Sequence, residues 1–311
     1  MTRVARQTFA DLLKIPLQPP GVDAMVRSQQ RSGGLITEDL DWESLDGERV
    51  PAYVIRPERA NGPLPAILCL HGSSGSRDSM ATDQFGPGDW IRHGDTKPHK
   101  RMLGWARELA RRGFVALAMT QRGLDSRGPA INTQANLMLV EGRTAMGAVL
   151  HEIRQATTYL QRRPDVDPQR IGATGMSFGG ITAFYMWIID DRVTAAAPIC
   201  GGVGSIATFM QLGRPSYHGT YWWVPDMLCK GDQADFAAAL APKPLMLWSP
   251  TEDVGMPREG VDRFVEQVRP AYERLGKSDA FVVHQQPGEH SFSMEAFEAL
   301  TRFFRQQFGM R

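Results

Sequence analysis

The stretch RIGATGMSFGGITAFYMWII, residues 170–189, decides how the rest of the chain is read. RIGATGMS (170–177) is a strand-sized run that ends in glycine-rich sequence, and ITAFYMWII (181–189) has helical character. Between them, Gly175-Met176-Ser177-Phe178-Gly179-Gly180 must turn sharply. A strand passing through G-x-S-x-G into a helix is the context in which a serine projects from a strained elbow. Glycines on either side relieve the clashes such a turn creates, and Gly180 lets the helix pack close to the strand. The plain alternative, a glycine-rich turn without chemistry, is disfavoured by the strand before it and the helix after it.

Working outward, short apolar runs alternate with helical patterns. PAILCL (65–70) and FVALAMT (114–120) read as strands covered on both faces, with MLGWARELARR (102–112) a helix stopped by Gly113. A helix is expected from about Thr144 to Arg163, ended by Pro164. Downstream, VTAAAPI (193–199), PLMLWS (244–249) and AFVVHQ (280–285) read as strands. EGVDRFVEQVRPAYERLG (259–276) reads as a helix interrupted or bent near Pro270, and SMEAFEALTRFFRQQFG (293–309) as the closing helix. This alternation predicts an α/β fold with a mostly parallel central sheet and helices on both faces. An antiparallel hairpin around Asp46-Gly47, within LITEDLDWESLDGERVPAYVIRPE, precedes it. The expected organisation is a leader segment over residues 1–34 and a single domain over 35–311. A long excursion at about 201–242 is read as a lid or pocket wall, since loops of that length in a compact domain usually carry function.

Composition narrows the function. The chain has 311 residues, 42% apolar and 22% charged, which is ordinary for a soluble globular domain with a generous core. Thirty-five basic and 34 acidic residues leave a formal charge of +1, so no electrostatic footprint for nucleic acid or an anionic membrane is expected. No apolar stretch approaches the roughly 20 residues a membrane span requires. The N-terminus lacks the apolar core and cleavage site of an export signal. Three cysteines, Cys69, Cys200 and Cys229, sit far apart, a sparse odd set that fits a reducing compartment. Cytoplasmic location follows as an expectation, with Cys69 and Cys200 as buried structural thiols. His93, Asp95 and His99 could suggest a metal, but solvated side chains on a rim loop over 76–100 are the simpler reading. No metal and no cofactor is expected.

A serine hydroxyl is a poor nucleophile until a base takes its proton, and the base needs an orienting group. After Ser177 the chain offers His218, His284 and His290. His290, in the turn PGEHSF between the last strand and the closing helix, lies where the chain returns to the carboxyl ends of the strands. His284 sits inside an apolar strand and His218 in the excursion. The orienting carboxylate is sought in SPTEDVGMP, after PLMLWS, where folds of this type build their sites. Asp253 is preferred and Glu252 is the reserve. Two backbone donors must meet the oxyanion. The N–H of Phe178 is one; the other is assigned to Ser73 in His71-Gly72-Ser73-Ser74-Gly75, with His71 read as a structural brace for its loop.

These motifs resemble the α/β-hydrolases, in the dienelactone hydrolase-like and acetyl xylan esterase-like branch related to the prolyl oligopeptidase catalytic domain. The resemblance runs from about Asp46 to the C-terminus. It rests on LHGSSG, RRPDVDPQRIGATGMSFGG, HGTYWWVPDMLCKGDQADFAAALAPKPLML, TEDVGMP and PGEHSF. It implies an α/β-hydrolase fold, ester hydrolysis without a cofactor, and the triad Ser177, Asp253 and His290. The position of Asp253 a few residues before Pro257 matches the branch's acid loop. Two departures matter: true dienelactone hydrolases use a cysteine where this chain has Ser177, and the residues before the hairpin are too few for a propeller domain.

Aromatic residues in the excursion, Tyr217, His218, Tyr221, Trp222 and Trp223, are candidate pocket residues. Such walls suit an apolar acyl group, an aromatic ester or a stacked sugar ring, and so select none. The expected activity is a serine esterase acting on a small-molecule ester through an acyl-enzyme. Hydrolysis of a small peptide or amide, and a non-catalytic scaffold, are the competing readings. The oligomeric state, including homo-oligomerisation, is left open.

Overall fold

The computed structural model describes residues 2–212 and 217–310, so residues 213–216 of the expected lid and Met1 of the expected leader lie outside it. Nine strands form one sheet: β1 (Ala24–Ser32), β2 (Leu35–Glu43), β3 (Arg49–Pro57), β4 (Leu64–Leu70), β7 (Val115–Met119), β8 (Val166–Met176), β9 (Val193–Ile199), β10 (Leu245–Trp248) and β11 (Phe281–His284). Their order is β1-β2-β3-β7-β4-β8-β9-β10-β11; β5 (Gly86–Trp90) and β6 (His99–Leu103) pair separately. From β7 to β11 every pairing is parallel, and β1 to β3 and the β3–β7 pairing are antiparallel.

The parallel strands read as continuous apolar runs because both faces are covered. All five residues of β7 are buried, and six of the seven of β4. One face carries the helices Thr2–Leu13, Ala145–Gln161, Phe178–Ile189 and Arg258–Arg274; the other carries Trp105–Arg111 and Met294–Gln307. Helix Phe178–Ile189 is buried along its whole length. Its apolar character all round is what a helix enclosed between sheet and outer helices requires. The expected bend at Pro270 does not break its helix, which runs from Arg258 to Arg274.

The described residues of the leader, 2–34, pack onto the domain. Helix Thr2–Leu13 buries Phe9, Ala10, Leu12 and Leu13, and the Phe9 ring meets the edge of Tyr185 at 4.9 Å. Arg154, almost fully buried, donates to the carbonyls of Pro16 and Leu17. Strand β1 then extends the sheet by pairing with β2. Its exposed, polar sequence AMVRSQQRS hides this role, because an edge strand needs only one neighbour and little apolar surface.

Two further segments differ from expectation. The described part of the excursion carries helices Ile206–Gln211, Met227–Lys230 and Gln233–Ala239. The rim segment over 76–100 holds helix Arg77–Ala81, strand β5 and the start of β6, while helix Ile131–Val140 fills a stretch for which the sequence predicted no element.

Candidate active site

Strand β8 delivers Ser177 at its carboxyl end, and helix Phe178–Ile189 begins at the next residue. Ser177 holds φ 58° and ψ −117°, a conformation that non-glycine residues reach only under strain. Its backbone N–H donates to the carbonyl of Ile199 on the neighbouring strand, 2.9 Å away, and fixes the elbow there. Small residues are obligatory around it. A Cβ on Gly179 would collide with the carbonyl oxygen of Leu70, and one on Gly180 would stand 2.7 Å from Cα of Gly201.

The loop His71–Gly75 leaves β4 beside this elbow. A Cβ placed on Gly72 would lie 3.5 Å from that of Ser177, so the loop backbone runs directly alongside the serine. His71 is buried and neutral: Nδ1–H donates to the carbonyl of Gly72 (2.7 Å), and Nε2 accepts the N–H of Gln121 (3.0 Å). Burial drives its pKa from 6.5 down to about 4. The Gln121 side chain donates to the His71 carbonyl and accepts from Thr182, tying the loop to the helix behind Ser177. His71 thus sits as a brace.

Opposite, the loops after β10 and β11 are laced by backbone bonds from Ser249 to His284, Thr251 to Gln286 and Glu252 to Gly288. They bring Asp253 to His290: Nδ1–H donates to Oδ1 over 2.8 Å. The same oxygen accepts the N–H of Gly255 at 2.7 Å. Asp253 is buried and Glu252 exposed, so these neighbours face opposite ways. With Nδ1 as donor, Nε2 of His290 keeps its lone pair free to accept a proton. Cys200 lies behind the pair, its thiol within 4.8 Å of both side chains and bonded to the carbonyl of Ser291.

Ser177, His290 and the loop 71–75 line one cavity of about 490 Å³. Its other walls include Met80, Lys100, Arg101, Met102, Trp105, Met176 and Phe292. The five candidates from the excursion are not among its lining residues. Trp222 is buried, packed on Phe209 and stacked with His218 at 4.1 Å, and His218 Nε2–H donates to the carbonyl of Gly255. His218 therefore buttresses the loop that carries Asp253. Tyr221 meets the edge of the Phe178 ring at 5.0 Å. Tyr217 is half exposed. His284 packs against Trp248, and His99 bonds Asp95 at 2.6 Å. The cavity wall went unread because β5 and β6 fold a polar tract back over the site, which no local periodicity announces; the adjacent Met102 and Trp105 were the visible apolar signal.

Sheet order, elbow and loop placement together define the α/β-hydrolase class. Residues 94–217 match the sequence profile of the dienelactone hydrolase family. The chain is 27% identical over 286 residues to "Putative hydrolase YtaP" of Bacillus subtilis (strain 168), 92% of each protein. It is also 27% identical over 164 residues to the uncharacterized peptidase YuxL of the same organism, 52% of this chain but 21% of that one. Among solved structures, a glucuronoyl esterase from Solibacter usitatus superposes with a TM-score of 0.71 at 18% identity, over 98% of this chain and 92% of that one. An acetyl xylan esterase from Paenibacillus sp. R4 gives 0.66 at 18% identity, over 98% and 94%. At such identity the superpositions speak for the fold. The resemblance to the dienelactone hydrolase-like and acetyl xylan esterase-like branch is borne out. Among the described residues, no helix is long and apolar enough to cross a membrane.

Proposed function

We propose that the protein is a serine esterase that cleaves a small carboxylic ester through an acyl-enzyme, with Ser177 as nucleophile, His290 as general base and Asp253 as its orienting carboxylate. One observation carries this reading: the strained serine shares a cavity with an imidazole whose far nitrogen is bonded to a buried carboxylate. Ser177 Oγ attacks the acyl carbon as Nε2 of His290 accepts its proton. The N–H groups of Phe178 and Ser73 receive the negative charge that develops on the carbonyl oxygen. His290 then protonates the departing alcohol, and water activated by the same nitrogen releases the acid.

The partial match to a peptidase makes amide hydrolysis the reading to compare. Rates on p-nitrophenyl esters against aminoacyl anilides separate the two. Covalent labelling by a fluorophosphonate, mapped to Ser177, tests the nucleophile itself. A folded protein that neither labels nor turns over esters is a scaffold, and the proposal fails.

A further inference from the structure

Arg101 is a cation facing the cavity of Ser177 with no ion-pair partner among the described residues. Its neighbours on the β5–β6 hairpin differ. Lys100 pairs with Asp89 at 2.7 Å, and Arg92 pairs with Asp95 at 2.9 Å. The Arg101 guanidinium makes one hydrogen bond, from Nη2 to the hydroxyl of Ser74 at 2.6 Å, and its Nε is buried without an acceptor. Burial, together with nearby Arg92, pulls its pKa down, and the carboxylate of Asp95, itself paired with Arg92, offsets this only in part.

The surroundings share this sign. Of the side chains that line the cavity, none is Asp or Glu, while Lys100 and Arg101 are both basic. Besides the site residues and the loop 71–75, the wall is apolar at Met80, Met102, Trp105, Met176 and Phe292 and carries only uncharged hydroxyls at Ser79, Ser291 and Ser293. A partly desolvated guanidinium in such a wall still has donors to give, and its planar fork matches a carboxylate. Ser74 follows Ser73 directly, so an anion held on Arg101 lies close to the place assigned to the scissile carbonyl.

We infer that Arg101 selects esters carrying a carboxylate on their acyl or alcohol part, which makes the preferred substrate an acidic ester. This deepens the esterase reading and rests on it. A purely structural role, in which Arg101 only steadies Ser74, predicts equal losses on all substrates when it is replaced.

Two matched pairs test the inference. p-Nitrophenyl hydrogen adipate against its methyl ester places the carboxylate on the acyl side; p-carboxyphenyl acetate against its methyl ester places it on the alcohol side. The wild type is expected to favour the acid of at least one pair about 10-fold or more in kcat/KM, and less so as salt is raised. Arg101→Gln should collapse that ratio about 10- to 100-fold, chiefly through KM, while Arg101→Lys keeps part of it. No preference in the wild type, or a ratio unchanged in Arg101→Gln, overturns the inference. Should Arg101→Gln not fold, Arg101→Lys and the salt dependence of the wild type still decide it. Fluorophosphonate labelling of Ser177 is measured in parallel: labelling without an acid preference sinks this inference alone, whereas no labelling and no turnover sink the esterase reading too.

Discussion

Asp253 Oδ1 accepts two hydrogen bonds at once, from Nδ1 of His290 at 2.8 Å and from the backbone of Gly255 at 2.7 Å. The carboxylate is therefore held by its own loop before it orients the imidazole. Gly255 is fixed in turn from its other side, where its carbonyl accepts from His218. The chain His218–Gly255–Asp253–His290 carries positional order from the packed excursion into the site.

Because only one of the two adjacent carboxylates reaches the imidazole, their substitutions should separate cleanly. Asp253→Asn is expected to lower kcat by about 10³- to 10⁴-fold, since an amide can impose the opposite tautomer on His290. Glu252→Gln, on the exposed side of the loop, should stay within about twofold. Steady-state ester kinetics on both variants measure this, and comparable losses would reject Asp253 as the orienting group.

For the serine itself, Ser177→Ala should reduce kcat by about 10⁴- to 10⁶-fold and abolish fluorophosphonate labelling. Thermal unfolding should show an intact fold, because removing Oγ leaves the backbone bond from Ser177 to Ile199 in place. Near-normal turnover by an uncontaminated, folded variant would falsify the assignment.

How far the sequence could be read tracks how local each determinant is. Ser177 announces itself because strand, glycines and helix lie within twenty residues. His290 follows from chain order and its turn. The choice between Asp253 and Glu252 is not readable from adjacent residues of the same chemistry; it is made by which side chain the loop turns inward. Trp222 and Trp223 were visible as aromatics, but sequence does not say whether such rings face a ligand or the core. Trp222 is turned to Phe209. Arg101 reaches the loop 71–75 only through the pairing of β5 with β6, a non-local event inside a polar tract. Strand β1 was hidden for a related reason, as its pairing is specified by the exposed edge of β2 and not by its own apolar pattern.

His71 makes stability fall in acid. Its pKa is about 4 when folded against 6.5 as the ordinary value. Above pH 6.5 both folded and unfolded forms are neutral, and His71 adds no pH dependence. As pH falls from 6.5 toward 4, the unfolded chain takes up a proton that the folded one refuses, so stability is lost across that window. The full effect is about 3 kcal/mol. Denaturant titrations at several pH values should show a steeper acid loss in the wild type than in His71→Gln. Parallel curves would show that His71 is not held neutral by the fold.

A second buried polar group supports the site from below. Glu152, fully buried, accepts from Nε of Arg122 at 2.9 Å and from both terminal nitrogens of Arg127 at 2.6 and 3.0 Å. Arg122 directly follows Gln121, the residue that clasps His71, and Arg127 also donates to the carbonyl of Thr120. Glu152→Gln removes the one charge shared by two buried guanidinium groups and leaves them only the more exposed carboxylates of Asp46, 3.6 Å from Arg122, and Glu48, 3.3 Å from Arg127. Breaking such a cluster from one side costs about 3–5 kcal/mol, because the remaining charges stay buried. The expected result is a large fall in Tm. The surviving folded fraction should also turn over more slowly, since Gln121 and with it the loop 71–75 lose their footing. Replacing all three residues by apolar side chains of similar volume should restore much of the stability, but not the order of the loop. Full stability in Glu152→Gln alone would mean that Asp46 and Glu48 suffice for the two arginines, and that Glu152 does not anchor the site.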